Sequence, residues 1–332
     1  MKISYFVLWT FCIFYFSGAY ANTPSSSEAA ATAGSSTATT QPSEKSTDEA
    51  DAVITNRMLR ASTGSLSKWS LSSSWSYSAG SLSDPFNAVR PNITSASDTP
   101  ALQSLSGTVG AKYRIDATNS LSMSTGMNML TPFHRSLHSN NAAVQRQFDA
   151  SGGQLNVNDP SLSYTHLSRW NGIQNVSSFD TNLLTSGFFR EAGYRASLEA
   201  SHQFMYEVKK ANGLSVGLLL TGTKYFFDKD SYTDSTGAAV SLFSDQASLV
   251  LGAYPAVEYV ISDRLNFRTI SGIGVYEFRR DGTSHHRIIY QSMGLGISVT
   301  RDFFLYPNIQ FIPGSLRANN TNLGLNANIN LF

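Results

Sequence analysis

The sequence predicts an all-β fold, a transmembrane antiparallel up-and-down β-barrel of about twelve strands, and three observations predict it. After residue 65, apolar and small polar residues alternate with a period of two through run after run, which puts the two classes on opposite faces of extended strands. Only 14% of residues are charged, against about 25% in soluble domains. Short and long connections also alternate between the runs. The formal net charge of +1, with no basic run interleaved with aromatics, gives no reason to expect nucleic acid.

The chain begins "MKISYFVLWTFCIFYFSGAYAN", with Lys2, an apolar run from Tyr5 to Phe16 and the small-residue pattern Ala19-Tyr20-Ala21. This is the layout of a cleaved signal peptide over 1–21. Cys12 is the single cysteine and falls inside it, so the mature chain has no disulfide to hold it together. Residues 22–64 are rich in Ser, Thr and Ala and nearly empty of aromatics, which predicts a disordered segment. Within it "AVITNRMLR" (Ala52 to Arg60) could form one short helix entering a lumen, although a solvated tail is the reading its composition favours.

The barrel is expected over 65–332. In "KWSLSSSWSYS", Trp69, Leu71, Trp75 and Tyr77 oppose a row of serines from Ser70 to Ser78. Next, Leu105, Val109, Ala111, Tyr113 and Ile115 oppose Ser106, Thr108, Lys112 and Arg114, and after "DATNS" Leu121, Met123, Met127 and Met129 continue the pattern. "SLSYTHLSRW" reads as a strand followed by Asn171-Gly172, a strong hairpin signal because both central positions of a type I′ turn need positive φ. A return strand through "IQNVSSFDTNLL" follows, despite its poor alternation. Ala196 to Tyr206, Leu214 to Leu220, Ala247 to Tyr259, Leu265 to Val275, Ile289 to Val299 and "FFLYPNIQFIP" supply further strands. The last, "NNTNLGLNANINLF", sets Leu323, Leu325, Ala327, Ile329 and Leu331 against asparagines and Gly324. The total is twelve, or ten if 131–189 is one irregular loop. Either even count returns both ends to one side.

The faces opposite the apolar ones are mainly Ser, Thr, Gly and Asn. They clothe a soluble exterior poorly and suit a wet lumen, leaving the apolar faces to lipid. Backbone groups in lipid must all be paired internally, and a closed barrel does this. Trp75 and Tyr77, Tyr225 to Phe227, Tyr276 and Phe278, and Phe303 to Tyr306 fall near strand ends, where aromatic girdles form.

A signal peptide, a multi-strand amphipathic domain and a last strand ending on Phe332 together resemble the bacterial outer-membrane β-barrel superfamily. The resemblance implies a Gram-negative outer-membrane location, contact with outer-membrane lipid and lipopolysaccharide, and recognition of the C-terminal strand by the barrel-assembly machinery. Phe332 stands one residue out of register with the apolar phase of Leu331 and Ile329.

Candidate chemistry is sparse. "HLS" places His166 and Ser168 on one strand face, and integral outer-membrane lipid hydrolases are similar in carrying His-x-Ser there. The adjoining hairpin at Asn171-Gly172, however, falls on the periplasmic side in a twelve-strand barrel. His134 and His138, with no accompanying carboxylate, and His285 and His286, in the short loop "DGTSHHR", read as loop histidines, and the glycines of "GLGIS" and "GIGV" lack the following helix that a nucleotide loop needs. No cofactor is implied. The remaining candidates project into the inferred lumen: Lys112, Arg114, Arg195, Glu199, Glu258 and Arg268 as pore-lining residues with a small positive excess. The expected function is a narrow porin-like channel for small polar solutes with weak anion preference. The alternatives are a structural or surface-display barrel with a closed lumen and, third, the embedded lipid hydrolase.

Overall fold

The structure, a computed structural model, describes residues 50–93, 100–209, 211–233, 239–244 and 246–331. The expected signal peptide, the polar segment up to residue 49 and the terminal Phe332 lie outside the described residues.

Twelve strands form one closed antiparallel sheet among the described residues: β1 (Trp69–Ser81), β2 (Ser104–Arg114), β3 (Asn119–Leu130), β4 (Leu155–Trp170), β5 (Ile173–Leu183), β6 (Tyr194–Glu207), β7 (Leu214–Phe227), β8 (Ala247–Val260), β9 (Leu265–Gly272, resuming as Tyr276–Arg279), β10 (Ser284–His286, resuming as Tyr290–Ser298), β11 (Phe303–Phe311) and β12 (Asn322–Leu331). Each pairs with its neighbours in sequence, and β12 returns to β1 in the register Leu71 to Leu331 and Tyr77 to Leu325. Closure leaves no open edge, the arrangement by which a sheet pairs its own backbone in lipid. The ten-strand alternative is excluded, because β4 and β5 are a hairpin in which Asn171 and Gly172 have φ of 49° and 84°, as a type I′ turn requires.

The apolar faces point outward. Leu121, Leu162, Leu220, Leu251, Leu295 and Leu325 are 40–57% exposed, whereas Ser70, Ser72, Ser122, Ser197 and Ser292 on the inner faces are buried. This inverts the pattern of a soluble barrel and makes the outer wall a lipid-facing belt. Trp69, Trp170, Phe226, Tyr276 and Phe278 are exposed on that wall near strand ends.

Three expectations are corrected. Tyr225 lies on the inward phase of β7, and Phe304 and Tyr306 turn inward on β11 and are buried, so they are not girdle residues. Val275 is also inside, fully buried against Tyr254 with Leu219, Val250 and Ile270 beside it. The reason is a one-residue offset: β8 pairs Ala256 with Ile270 but Leu251 with Tyr276, so an extra residue in the 273–275 break flips the face. Finally, residues 50–64 are folded rather than a solvated tail. They contain a helical turn at residues 50–53 and helix α1 (Arg57–Ser62).

The connections 115–118, 171–172, 208–213, 261–264 and 299–302 are short and share one end with both described termini, while the connections at the other end reach more than twenty residues, as in 82–103.

Candidate functional site

Residues 50–67 enter the barrel at its short-turn end and fill that end of the lumen. Asn56 starts α1 by accepting a hydrogen bond from Leu59 N at 3.1 Å, which satisfies an otherwise orphaned first-turn donor. The helix then presents Leu59, with Ile54 before it, to a lumen-facing pair, Leu167 of β4 and Met205 of β6. All four are at most 5% exposed. Met58 and Ala61 cover Phe304 and Tyr306 of β11. Tyr306 is the fourth residue of its strand, so the plug reaches roughly 10 Å into the barrel at about 3.3 Å per residue.

Polar contacts come from all round the wall. Gln174 Oε1 of β5 accepts from Thr55 N at 2.7 Å and Asn56 N at 2.8 Å. Lys112 Nζ donates to Thr63 O at 2.9 Å, Arg114 Nη2 to Ser65 O at 2.7 Å, and Asn330 Nδ2 to Ala61 O at 2.6 Å. Gly64, at φ 88°, is needed where the chain passes Lys112, because a Cβ there would stand 2.8 Å from Lys112 Cδ. Arg301, in the β10–β11 turn, donates to both carboxylate oxygens of Asp51 at 2.8–3.2 Å and to Gly64 O at 3.1 Å. Burial disfavours the Arg301 charge, but its hydrogen bonds to Asp51 and the charge of Asp302 outweigh that, and its pKa is raised above the usual arginine value.

The six sequence-derived lumen candidates divide by height. Lys112, Arg114, Glu258 and Arg268 are at most 9% exposed, low in the barrel, where the first two hold the plug directly. Glu258 and Arg268 face each other across β8 and β9. Glu258 accepts from Asn266 Nδ2, and the Arg268 guanidinium lies 5.8 Å from the centre of the Tyr306 ring. Glu199 is higher, half-buried, and directly opposite Asp180 of β5 on the inner face. Arg195 is exposed at a bulge on the long-loop rim. Above the plug part of the inner wall is half-exposed and small, with Ser76, Ser106, Ser124, Ser163 and Ser201 among its residues, whereas Tyr254 and Val275 are buried on the side of β8 and β9.

Asp180 was missed because β5 alternates poorly in sequence. The phase was nevertheless recoverable: a two-residue hairpin at Asn171-Gly172 fixes which residues of β5 face those of β4. The plug was legible only as the apolar spacing of Ile54, Met58 and Leu59 in an otherwise polar segment.

His166 and Ser168 both face outward near the short-turn end, with no hydrogen bond between them among the described residues. His166 Nδ1 is 2.9 Å from Asn119 Oδ1. The serine–histidine hydrogen bond on this wall is instead Ser177 Oγ to His202 Nδ1 at 2.6 Å. The neighbouring backbone N–H groups are committed to the strand ladder, so no donors stand ready for an oxyanion.

No family model matches the chain, and no curated protein matches it. Among solved structures it is similar to an outer membrane channel from Pseudomonas putida F1, at TM-score 0.47 and 11% identity over 81% of this chain and 97% of the other. It is also similar to the NanC porin, at TM-score 0.40 and 10% identity over 79% and 98%, and to OmpF of Salmonella typhi, at 0.34 and 8% over 79% and 97%. At these scores the likenesses assign the chain neither a family nor an activity.

Proposed function

We propose that the chain is an outer-membrane channel for small polar solutes, closed at rest by residues 50–67 at its short-turn, periplasmic mouth. The observation that supports this reading most is the polar lumen with a separate, non-strand segment seated in one end of it. A barrel required only as a scaffold could fill that space with wall side chains, as narrow barrels do. Here wall side chains such as Tyr254 and Val275 fill part of the lumen, but the short-turn mouth is filled by a segment joined to β1 by a few residues, so it can withdraw without breaking a strand pair.

Selectivity depends on the plug. With it seated, the paired acidic residues Asp180 and Glu199 face the open half while Lys112, Arg114 and Arg268 are covered, so residual current prefers cations. With it withdrawn, those cations line the path and the preference moves toward anions, as the sequence alone suggested. Single-channel recording of the full-length chain beside a variant lacking residues 50–67 tests this, once the heat-dependent gel shift of a folded barrel is verified for both. Equal currents and equal selectivity would leave the closed structural barrel as the better reading.

A further inference from the structure

A second feature of the plug carries an inference about what holds it in place. Between the plug and the turns beneath it lies a cleft of about 280 Å³, lined by Arg57 and Arg60 of α1, Asp263 and Arg264 of the β8–β9 turn, Ser298 at the end of β10, and Val299 to Arg301 of the β10–β11 turn. Four guanidinium groups line it with the carboxylate of Asp263, while Asp51 pairs with Arg60 and Arg301, and Asp302 with Arg301, beside it.

Three of the four are partly engaged. Arg301 grips Asp51, and Arg60 donates to Ile54 O at 2.7 Å and to Asp51 O at 2.9 Å. Arg57 donates to Ser262 O at 2.7 Å and lies 3.5 Å from Asp263, whose side chain is fully exposed. An exposed pair of that kind is weak and yields readily to a better anion. The Arg264 side chain, on an exposed residue of the turn, has no hydrogen bond or ion pair among the described residues. Arg264 lines the cleft from the wall and Arg57 from the plug, and a guanidinium is the side chain suited to bidentate recognition of a tetrahedral oxyanion.

From this geometry we infer that the cleft binds a phosphate-class oxyanion, inorganic phosphate or a small phosphomonoester, that bridges the plug to the wall and holds the channel closed. A bound anion contacts Arg57 and Arg60 only while α1 is seated, so binding and closure are linked and must stabilise each other. The lining contains Val299 as its single apolar residue. With no acyl track beside it, the anion is a water-borne one rather than a lipid headgroup. The effect on opening rests on the plugged-channel reading, whereas the binding does not.

The experiment uses the full-length chain. Inorganic phosphate is titrated calorimetrically into the micellar protein at constant ionic strength, for the wild type, Arg264→Ser and Asp263→Ser. The expected result is binding that Arg264→Ser weakens at least tenfold and Asp263→Ser preserves or tightens. No binding up to millimolar phosphate, or equal affinity in Arg264→Ser, overturns the site. In a second arm, phosphate is added on the periplasmic side of bilayers holding a Leu59→Ala protein, whose plug is loosened, and is expected to lower its open fraction through Arg264. Binding with no change in opening overturns the bridging role. Repeating this arm in phosphatidylglycerol and in zwitterionic bilayers separates the sources: closure that follows the lipid and ignores free phosphate overturns the water-borne assignment. If no variant conducts at all, the channel reading fails, and the calorimetric arm still decides the site.

Discussion

Leu59→Ala removes the most enclosed apolar group of the plug. Leu59 is 0% exposed and packs with Ile54, Leu167 and Met205, two of them on the barrel wall. A buried Leu→Ala change costs about 2–5 kcal/mol, the spread reflecting how far the surroundings collapse into the space left. In the withdrawn state the same side chain is in water and the substitution is nearly neutral. Almost the whole cost therefore falls on the closed state, and the ratio of open to closed rises roughly 30- to 4,000-fold, at 1.4 kcal/mol per factor of ten. Single-channel recording reads this as openings that are rare in the wild type and frequent in the variant. No strand pair involves Leu59, so the heat-dependent gel shift of the barrel should not change. An unchanged open fraction, with the variant folded, would falsify the assignment of residues 50–67 as the gate.

Three further outcomes are expected. Leu251→Arg, on the lipid-facing phase of β8, should destabilise the barrel by about 2–4 kcal/mol near the bilayer midplane, whereas Ser124→Arg on the inner face should fold; urea titration in lipid vesicles compares the two, and equal losses would reject the assigned phase. Asp180→Asn with Glu199→Gln should abolish the cation preference of residual wild-type current, read as a reversal potential moving toward zero in a salt gradient. Asp116, in the β2–β3 turn, accepts hydrogen bonds from the Asn119 side chain and from Thr118 N, which hold its pKa down to about 2. Because the folded value is depressed, its contribution to turn stability is present above the ordinary carboxylate range of about 3.9 and is lost as pH falls through about 2. Carboxyl titration by NMR checks it.

The barrel was legible because its code is binary: each strand has one lipid face and one water face, and a period of two records both. β12, with leucines opposite asparagines, is the plainest case. The pattern failed where the backbone left the ladder, at the 273–275 break, since one inserted residue reverses every face beyond it and nothing in "SGIGVY" marks where the insertion falls. It also failed on aromatics, because Phe304 and Tyr306 pack under Met58 and Ala61 of the plug, a surface that strand periodicity does not anticipate. Composition misled for residues 50–64. A polar segment cannot bury a core of its own, but it needs only Ile54, Met58 and Leu59 to use one provided by the wall. The lumen residues were identified by alternation alone, which fixes the side a residue faces and says nothing of its height. Height is what separates Lys112 and Arg268 from Glu199.

The distribution of plug partners along the chain has a consequence for biogenesis. Residues 50–67 are among the first of the described protein, yet they are held by Lys112 and Arg114, by Gln174 and Met205, and by Arg301 and Asn330 at the far end. Such contacts span up to 269 positions, so they form only after the sheet has closed on itself and Asn330 has come beside β1. A chain stalled before β12 pairs has no seat for its own N-terminal segment, which then stays accessible at the short-turn end. Protease resistance around Arg57 and Arg60 should therefore appear last during assembly and mark a completed barrel.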